Sequence, residues 1–452
     1  MTRLFGTNGI RGVVGKDMTP DLALGVGKAV GTVLGPGTVA LGRDTRLSGP
    51  LLARAVASGL MSAGCDVVDL GVLPTPAEQY YLAKKGGLKG GVVVTASHNP
   101  REFNGIKVLD AAGMELRRED EEAIEAVYFG GRPKVAEWSS VGSIRSDGGA
   151  IELYLAGILS RVDGDAIRSR GLTVAVDPGN GAGCLVTPYL LAALGCRVIS
   201  LHGQPDGTFP GRPPEPVPEH LGDLLRLVRE THADFGVAHD GDADRAIFVD
   251  ERGTFLQGDR SLALLAGAAL RGRGGTVVTP VSTSSMLDDV ARAHGGKVVR
   301  TKVGAPIVAR TMFQTGATFG GEENGGVIFP EHQFCRDGAM AVAKMLELLA
   351  REGRPLSELA AALPTYVLRK GGVEVPADRH AAVLEGLVRL AEGRTVERID
   401  GVKIHAPDGW VLVRPSGTEP LFRIYAEART EARAEALAKE GADLIREAIR
   451  RA

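Results

Sequence analysis

Short β-branched and aliphatic runs, each ending in a polar, glycine-bearing loop and leading into a stretch of helical period, recur three times in the chain. "TVALGRDTRLSG" (38–49) leads through a helical stretch to "AGCDVVDLG" (63–71), "LTVAVDPGNGAG" (172–183) to "LGCRVISLHG" (194–203), and "TVVTPVSTSS" (276–285) to "HGGKVVRTKVG" (294–304). A helix joining two such runs is a βαβ crossover, which builds parallel or mixed sheets with helices on both faces. From about residue 367 the period changes to two in "VKIHA", "WVLVRP" and "LFRIYAEA", which predicts an antiparallel sheet with one solvated face. Helical periodicity returns at "EARAEALAKEGADLIREAI". The expected fold class is α/β: three similar sandwich domains with mixed sheets at 1–150, 151–252 and 253–366, then a smaller α+β domain at 367–452. The Pro-rich piece at 207–220 reads as a surface loop inside the second unit.

Length agrees with several domains, since 452 residues exceed what one core normally supports. Lys+Arg 53 against Asp+Glu 55 gives a formal charge of −2 without a long like-charged tract, so neither a nucleic-acid stripe nor a membrane patch is expected. A small soluble partner fits better. The four cysteines have no metal-binding spacing, and the most apolar window, "SLALLAGAAL" (261–270), is too short for a membrane span. The expected location is cytoplasmic. Composition leaves monomer and homodimer both open.

Four loops carry the candidate chemistry. "VVVTASHNP" (92–100) is a buried-strand pattern that ends in Ser97 and His98, neither of which a turn at Asn99-Pro100 requires. "HDGDADRAIFVD" (239–250) places Asp240, Asp242 and Asp244 at alternate positions before an apolar strand, and carboxylates so close repel unless a hard cation such as Mg²⁺ lies among them. Glu251 falls where a calcium EF-hand loop ends, but Arg245 stands where that loop needs glycine and the flanks are strand-like. "GGEENGGVIFP" (320–330) offers Glu322 and Asn324 on a glycine-relaxed loop, suited to reading sugar hydroxyls. "VRPSGTEP" (413–420) combines Arg414, Ser416, Gly417 and Thr418 into a phosphate cradle, with Arg423 further along the next strand. "NGIRG" and "NGIKVLD" add Arg11 and Lys107, each after the same Asn-Gly-Ile. One loop set therefore has a hydroxyl nucleophile, a metal site and cations, and can transfer a phosphoryl group. The other can only hold one, and a phosphorylated sugar suits the pair.

"TASHNP", "DGDADR", "GEENGG" and "RPSGTEP", in this order over nearly the whole chain, resemble the four signature loops of the α-D-phosphohexomutase superfamily. "LFGTNGIRG" is similar to its phosphoglucosamine mutase and archaeal phosphomannomutase branches. The resemblance implies four domains around a central cleft and an intramolecular phosphotransfer. Ser97 would be the phosphoserine, binding one Mg²⁺ together with Asp240, Asp242 and Asp244. Arg11, His98, Lys107 and Arg245 would line the transfer site, Glu322 and Asn324 would read the sugar, and Arg414, Ser416, Gly417, Thr418 and Arg423 would clasp the resting phosphate. A hexose 1,6-bisphosphate would be both intermediate and activator. The favoured substrate is glucosamine 6-phosphate, with phosphomannomutase/phosphoglucomutase activity and a Mg²⁺-dependent sugar phosphatase as rivals. Several relatives carry a histidine where this chain has Gly326, so Lys107 becomes the favoured proton handler, with Arg11, a water or His332 as substitutes.

Overall fold

The computed structural model describes residues 3–6, 8–416 and 420–451. Four sheets follow one another along the chain. The first contains β1 (Ile10–Val13), β2 (Gly37–Arg43), β3 (Cys65–Val72), β4 (Leu88–Val94), β5 (Phe103–Asp110) and β6 (Ile144–Ser146), in the order β1-β5-β4-β2-β3-β6. The second has β7 (Thr173–Asp177), β8 (Arg197–Ser200), β9 (Phe235–His239), β10 (Ala246–Asp250) and β11 (Phe255–Leu256), in the order β11-β10-β9-β7-β8. The third has β12 (Gly275–Pro280), β13 (Gly296–Thr301), β14 (Phe319–Gly321) and β15 (Val327–Ile328), in the order β13-β12-β14-β15.

The three sheets share one plan. β2, β7 and β12 each lie between two parallel neighbours: β3 and β4, β8 and β9, β13 and β14. An antiparallel strand then joins the outer face of the third parallel strand: β5 beside β4, β10 beside β9, β15 beside β14. These strands are fully apolar where they are sheathed on both faces, as Val92, Val93 and Val94 are in β4, because helices cover both sides. The shared plan puts Ser97, the aspartates and Glu322 on the same loop of the repeat, between the third parallel strand and its antiparallel neighbour.

The fourth sheet, β16 (Val367–Glu374), β17 (Val396–Glu397), β18 (Val402–Ala406), β19 (Gly409–Pro415) and β20 (Leu421–Ala428), is wholly antiparallel in the order β16-β20-β19-β18-β17. Its alternating faces are the reason for the two-residue period: Phe422, Ile424 and Ala426 are buried beneath the helices His380–Leu390 and Glu431–Arg451.

One continuous core joins the first three units. Tyr80 and Tyr81 from the first, Tyr154 and Phe248 from the second, and Phe319 and Leu346 from the third belong to a single apolar cluster. At its centre runs the helix Gly338–Glu352, capped by Asp337, whose carboxylate accepts from the Met340 amide at 2.9 Å, from Tyr154 Oη at 2.5 Å and from Gln333 Nε2 at 2.7 Å. Such a helix is a rigid reference for loops at its N-terminus. The four cysteines are unpaired, and no described helix is long and apolar enough to cross a membrane.

Candidate active site

Ser97 is fully buried and has φ +50°, a left-handed conformation that costs a non-glycine residue about 1 kcal/mol or more. Its Oγ–H donates to Asp240 Oδ2 at 2.6 Å, across 143 residues of sequence. The strain persists because the loop is held on every side. Thr95 Oγ1 accepts from the Ser97 amide at 2.9 Å, and the carbonyls of Ser97, Asn99, Pro100 and Phe103 all accept from the Arg46 guanidinium at 2.6–2.8 Å. Arg46 is itself fixed by Asp44 at 3.1 Å, and Asp44 also accepts from Thr95 Oγ1 at 2.6 Å. On the metal-loop side a Cβ at Gly241 would come within 2.6 Å of the Ser97 carbonyl, so only glycine permits this approach.

Asp240, Asp242 and Asp244 are buried, with carboxylate oxygens within 4.8 Å of one another. Burial and the two neighbouring carboxylates push Asp240 upward. Asp242 is driven the other way: burial opposes its charge, but Lys107 and hydrogen bonds from Thr75 and Lys107 outweigh it. Asp242 Oδ1 and Asp244 Oδ1 are buried without a hydrogen-bond partner among the described residues, which is costly for an anion unless a cation meets it. Three oxygen donors of this kind suit a hard divalent ion.

Cations surround the triad. Lys107 Nζ lies 2.9 Å from Asp242 and 3.4 Å from Asp244; burial lowers its pKa, but these carboxylates and Glu115 raise it more. These contacts favour the cationic form of Lys107, one able to donate a proton. Arg245 lies 3.8 Å from Asp240 and 3.7 Å from Asp244. It donates to His98 Nδ1 at 3.0 Å, which makes that nitrogen an acceptor. The charge of Arg245, together with burial and Arg11, keeps the ring neutral. Arg11 donates to Asn99 Oδ1 at 2.7 Å. His332 is elsewhere: it stacks on Tyr80 at 4.4 Å, and neither ring nitrogen makes a hydrogen bond with the described residues.

The sugar loop reaches the same place through Glu322, buried and raised in pKa first by desolvation. Asn324 closes its own turn, its Oδ1 accepting from the Gly326 amide at 3.1 Å. In the fourth unit, Arg414 and Arg423 are direct cross-strand partners on β19 and β20. Like charges placed opposite each other are unfavourable unless an anion lies between them. Arg414 Nε also donates to Asp400 at 2.8 Å, and Ser416 is buried beside the loop. Gly417 and Thr418, assigned above to the phosphate cradle, lie outside the described residues.

Three functional candidates escape the motif reading. Arg46 holds the serine loop, Thr75 Oγ1 donates to Asp242 Oδ2 at 2.7 Å, and Arg336 contacts both Asp244 and Glu322. Only Arg46 left a trace, within the repeated "GRDTRLSG".

A serine hydroxyl, three buried carboxylates and a ring of cations, on equivalent loops of repeated α/β units, define a phosphoryl-transfer site of the α-D-phosphohexomutase class. The chain belongs to the phosphoglucomutase/phosphomannomutase family: models for that family's alpha/beta/alpha domains I, II and III match residues 2–134, 152–253 and 257–366, and its C-terminal domain model matches 371–444. A phosphoglucomutase/phosphomannomutase of Thermococcus kodakarensis is 48% identical over 100% of both chains. A probable phosphoglucosamine mutase of Methanopyrus kandleri is 48% identical over 99% of each. Among solved structures, a phosphoglucomutase/phosphomannomutase family protein of Burkholderia thailandensis superimposes with a TM-score of 0.87 at 32% identity, covering 99% of this chain and 96% of that one.

Proposed function

We propose that this phosphohexomutase converts glucosamine 6-phosphate to glucosamine 1-phosphate through phospho-Ser97 and a hexose 1,6-bisphosphate. The observation that carries the reading is Ser97 Oγ at 2.6 Å from Asp240, with Asp242 and Asp244 completing a site for one Mg²⁺. When bound, that ion supplies charge neutralisation for the transferring phosphoryl oxygens. Arg11, Lys107 and Arg245 add fixed positive charge around the same oxygens, and neutral His98 receives an Arg245 N–H that keeps the guanidinium turned toward the serine loop. Ser97 is shielded from solvent, a dry setting in which the surrounding charges act strongly on a phosphoryl group. Glu322 and Asn324 hold hydroxyls of the ring. Arg414, Ser416, Gly417, Thr418 and Arg423 hold the phosphate that is not reacting, which a phosphatase would not need. The bisphosphate turns end for end, and its second phosphate returns to Ser97.

The four working units are 1–150, 151–252, 253–366 and 367–452, and the unpaired cysteines fit a cytoplasmic enzyme. Relatives of equal identity bear either a glucosamine or a mannose/glucose name, so the substrate is decided by comparing kcat/KM on glucosamine, mannose and glucose 6-phosphates. Glucosamine phosphate is expected to lead. A preference of about ten-fold or more for mannose phosphate, roughly 1.4 kcal/mol in transition-state binding, overturns the choice.

A further inference from the structure

We propose that Arg336 is a positioning residue that aims the sugar-reading carboxylate and one metal-site carboxylate together. The residue is buried and stands directly before Asp337, the cap of the central helix, so its backbone is anchored. One guanidinium nitrogen donates to Glu322 Oε2 at 3.2 Å and the other to Asp244 Oδ2. Each carboxylate is gripped by one oxygen. At Asp244 the second oxygen, Oδ1, is buried, has no hydrogen-bond partner among the described residues and lies 3.7 Å from Arg245 Nε, which leaves it able to take a metal ion. At Glu322 no hydrogen bond from the described residues reaches Oε1, which is left for a sugar hydroxyl. A planar two-pronged cation is suited to this task, because it fixes two acceptors at a set separation; an ammonium can serve only as a point charge.

Gly326 supports the assignment independently. A Cβ there would fall 2.2 Å from Arg336 Cδ and 3.0 Å from its Cγ. These atoms lie mid-chain, and the far end is held by two carboxylates, so the side chain cannot step aside without releasing one of them. The absence of a side chain at 326 is therefore the space that the Arg336 stem occupies. The two positions form one device linking the sugar loop to the metal loop.

This proposal rests on the roles of Glu322 and the aspartates given above. It is tested on the full-length protein, by titrating Mn²⁺ into the dephosphorylated form with electron paramagnetic resonance, and by kcat and KM for glucosamine 6-phosphate after priming with a hexose 1,6-bisphosphate. The variants are Arg336→Met, Arg336→Lys and Gly326→Ala. Removing a partner that orients a metal ligand typically weakens metal affinity or activity by about 10–100-fold. Arg336→Met is therefore expected to weaken Mn²⁺ binding and raise KM by about ten-fold or more. Gly326→Ala, which leaves every charged group in place, should reproduce both changes, and Arg336→Lys should restore only one. Mn²⁺ affinity and KM within about two-fold of wild type in both Arg336→Met and Gly326→Ala overturn the proposal. If Arg336→Met does not fold, Gly326→Ala decides alone. If the wild-type protein binds Mn²⁺ but turns over no hexose phosphate, the functional reading fails, and the Mn²⁺ comparison still decides Arg336.

Discussion

Replacing Arg46 with methionine is expected to cripple catalysis without touching any group that meets the substrate. The side chain is completely buried, and its five hydrogen bonds run to Asp44 and to the carbonyls of Ser97, Asn99, Pro100 and Phe103. Methionine matches much of the volume but donates nothing. Breaking a buried ion pair by removing one partner costs about 3–5 kcal/mol, because the other charge stays behind. Asp44, already pushed up by burial and pulled back by Arg46, escapes part of that cost by taking a proton. Orphaned carbonyls cost about 1–3 kcal/mol each when dry, and those nearest the surface recover water. A loss of about 4 kcal/mol follows, a large share of the ~5–15 kcal/mol that holds a typical domain. Ser97 has its own reason to move, since its left-handed backbone is unfavourable by about 1 kcal/mol once the clamp is gone. A displacement of about 1 Å at a reacting atom lowers the rate by about 10²-fold. The assay is mutase kcat/KM at a temperature well below the unfolding transition, alongside thermal unfolding. Arg46→Lys, which keeps the charge but not the fork, should fall between the two. Wild-type kcat/KM and an unchanged melting temperature in Arg46→Met would refute the claim that this guanidinium sets the serine loop.

Two further outcomes follow from the same contacts. Ser97→Gly and Ser97→Ala should both abolish turnover, but the glycine variant should be more stable by about 1 kcal/mol in denaturant titration, because only it relaxes at φ +50°. At Asp177, burial opposes ionisation, but a hydrogen bond from His202 at 3.1 Å and the Arg212 guanidinium at 2.7 Å leave its pKa below the ordinary carboxylate value. A depressed folded pKa contributes stability that is present above the unfolded value of about 4 and lost as pH falls through the folded one. Arg212→Met should therefore be much less stable than wild type at pH 7, with the gap narrowing below about pH 4 in chemical denaturation at each pH.

Ser97 and the three aspartates were legible because each motif packs its chemistry into a few consecutive residues at a strand end, where the β period forces the next side chains into a loop. The repeat was legible for a related reason: glycine and β-branched spacing mark the crossover of each unit. Arg46, Thr75 and Arg336 left little local signal. Thr75 meets Asp242 across 167 residues, and Arg336 meets Asp244 across 92, so only the packed core brings them together. Lys107 shows the same limit from the other side: the two carboxylates it meets are delivered by another unit, so its ion pairs cannot be read from its own loop. The register placing Arg414 opposite Arg423 likewise depends on the hairpin between them and is invisible in either strand alone.

Intact-mass analysis of the protein before and after incubation with a hexose 1,6-bisphosphate, followed by peptide mapping, tests the phosphoserine assignment most directly. A single added phosphate on Ser97, lost again when sugar 6-phosphate is supplied, is the predicted result. Phosphate on any other residue, or full turnover by Ser97→Ala, contradicts it.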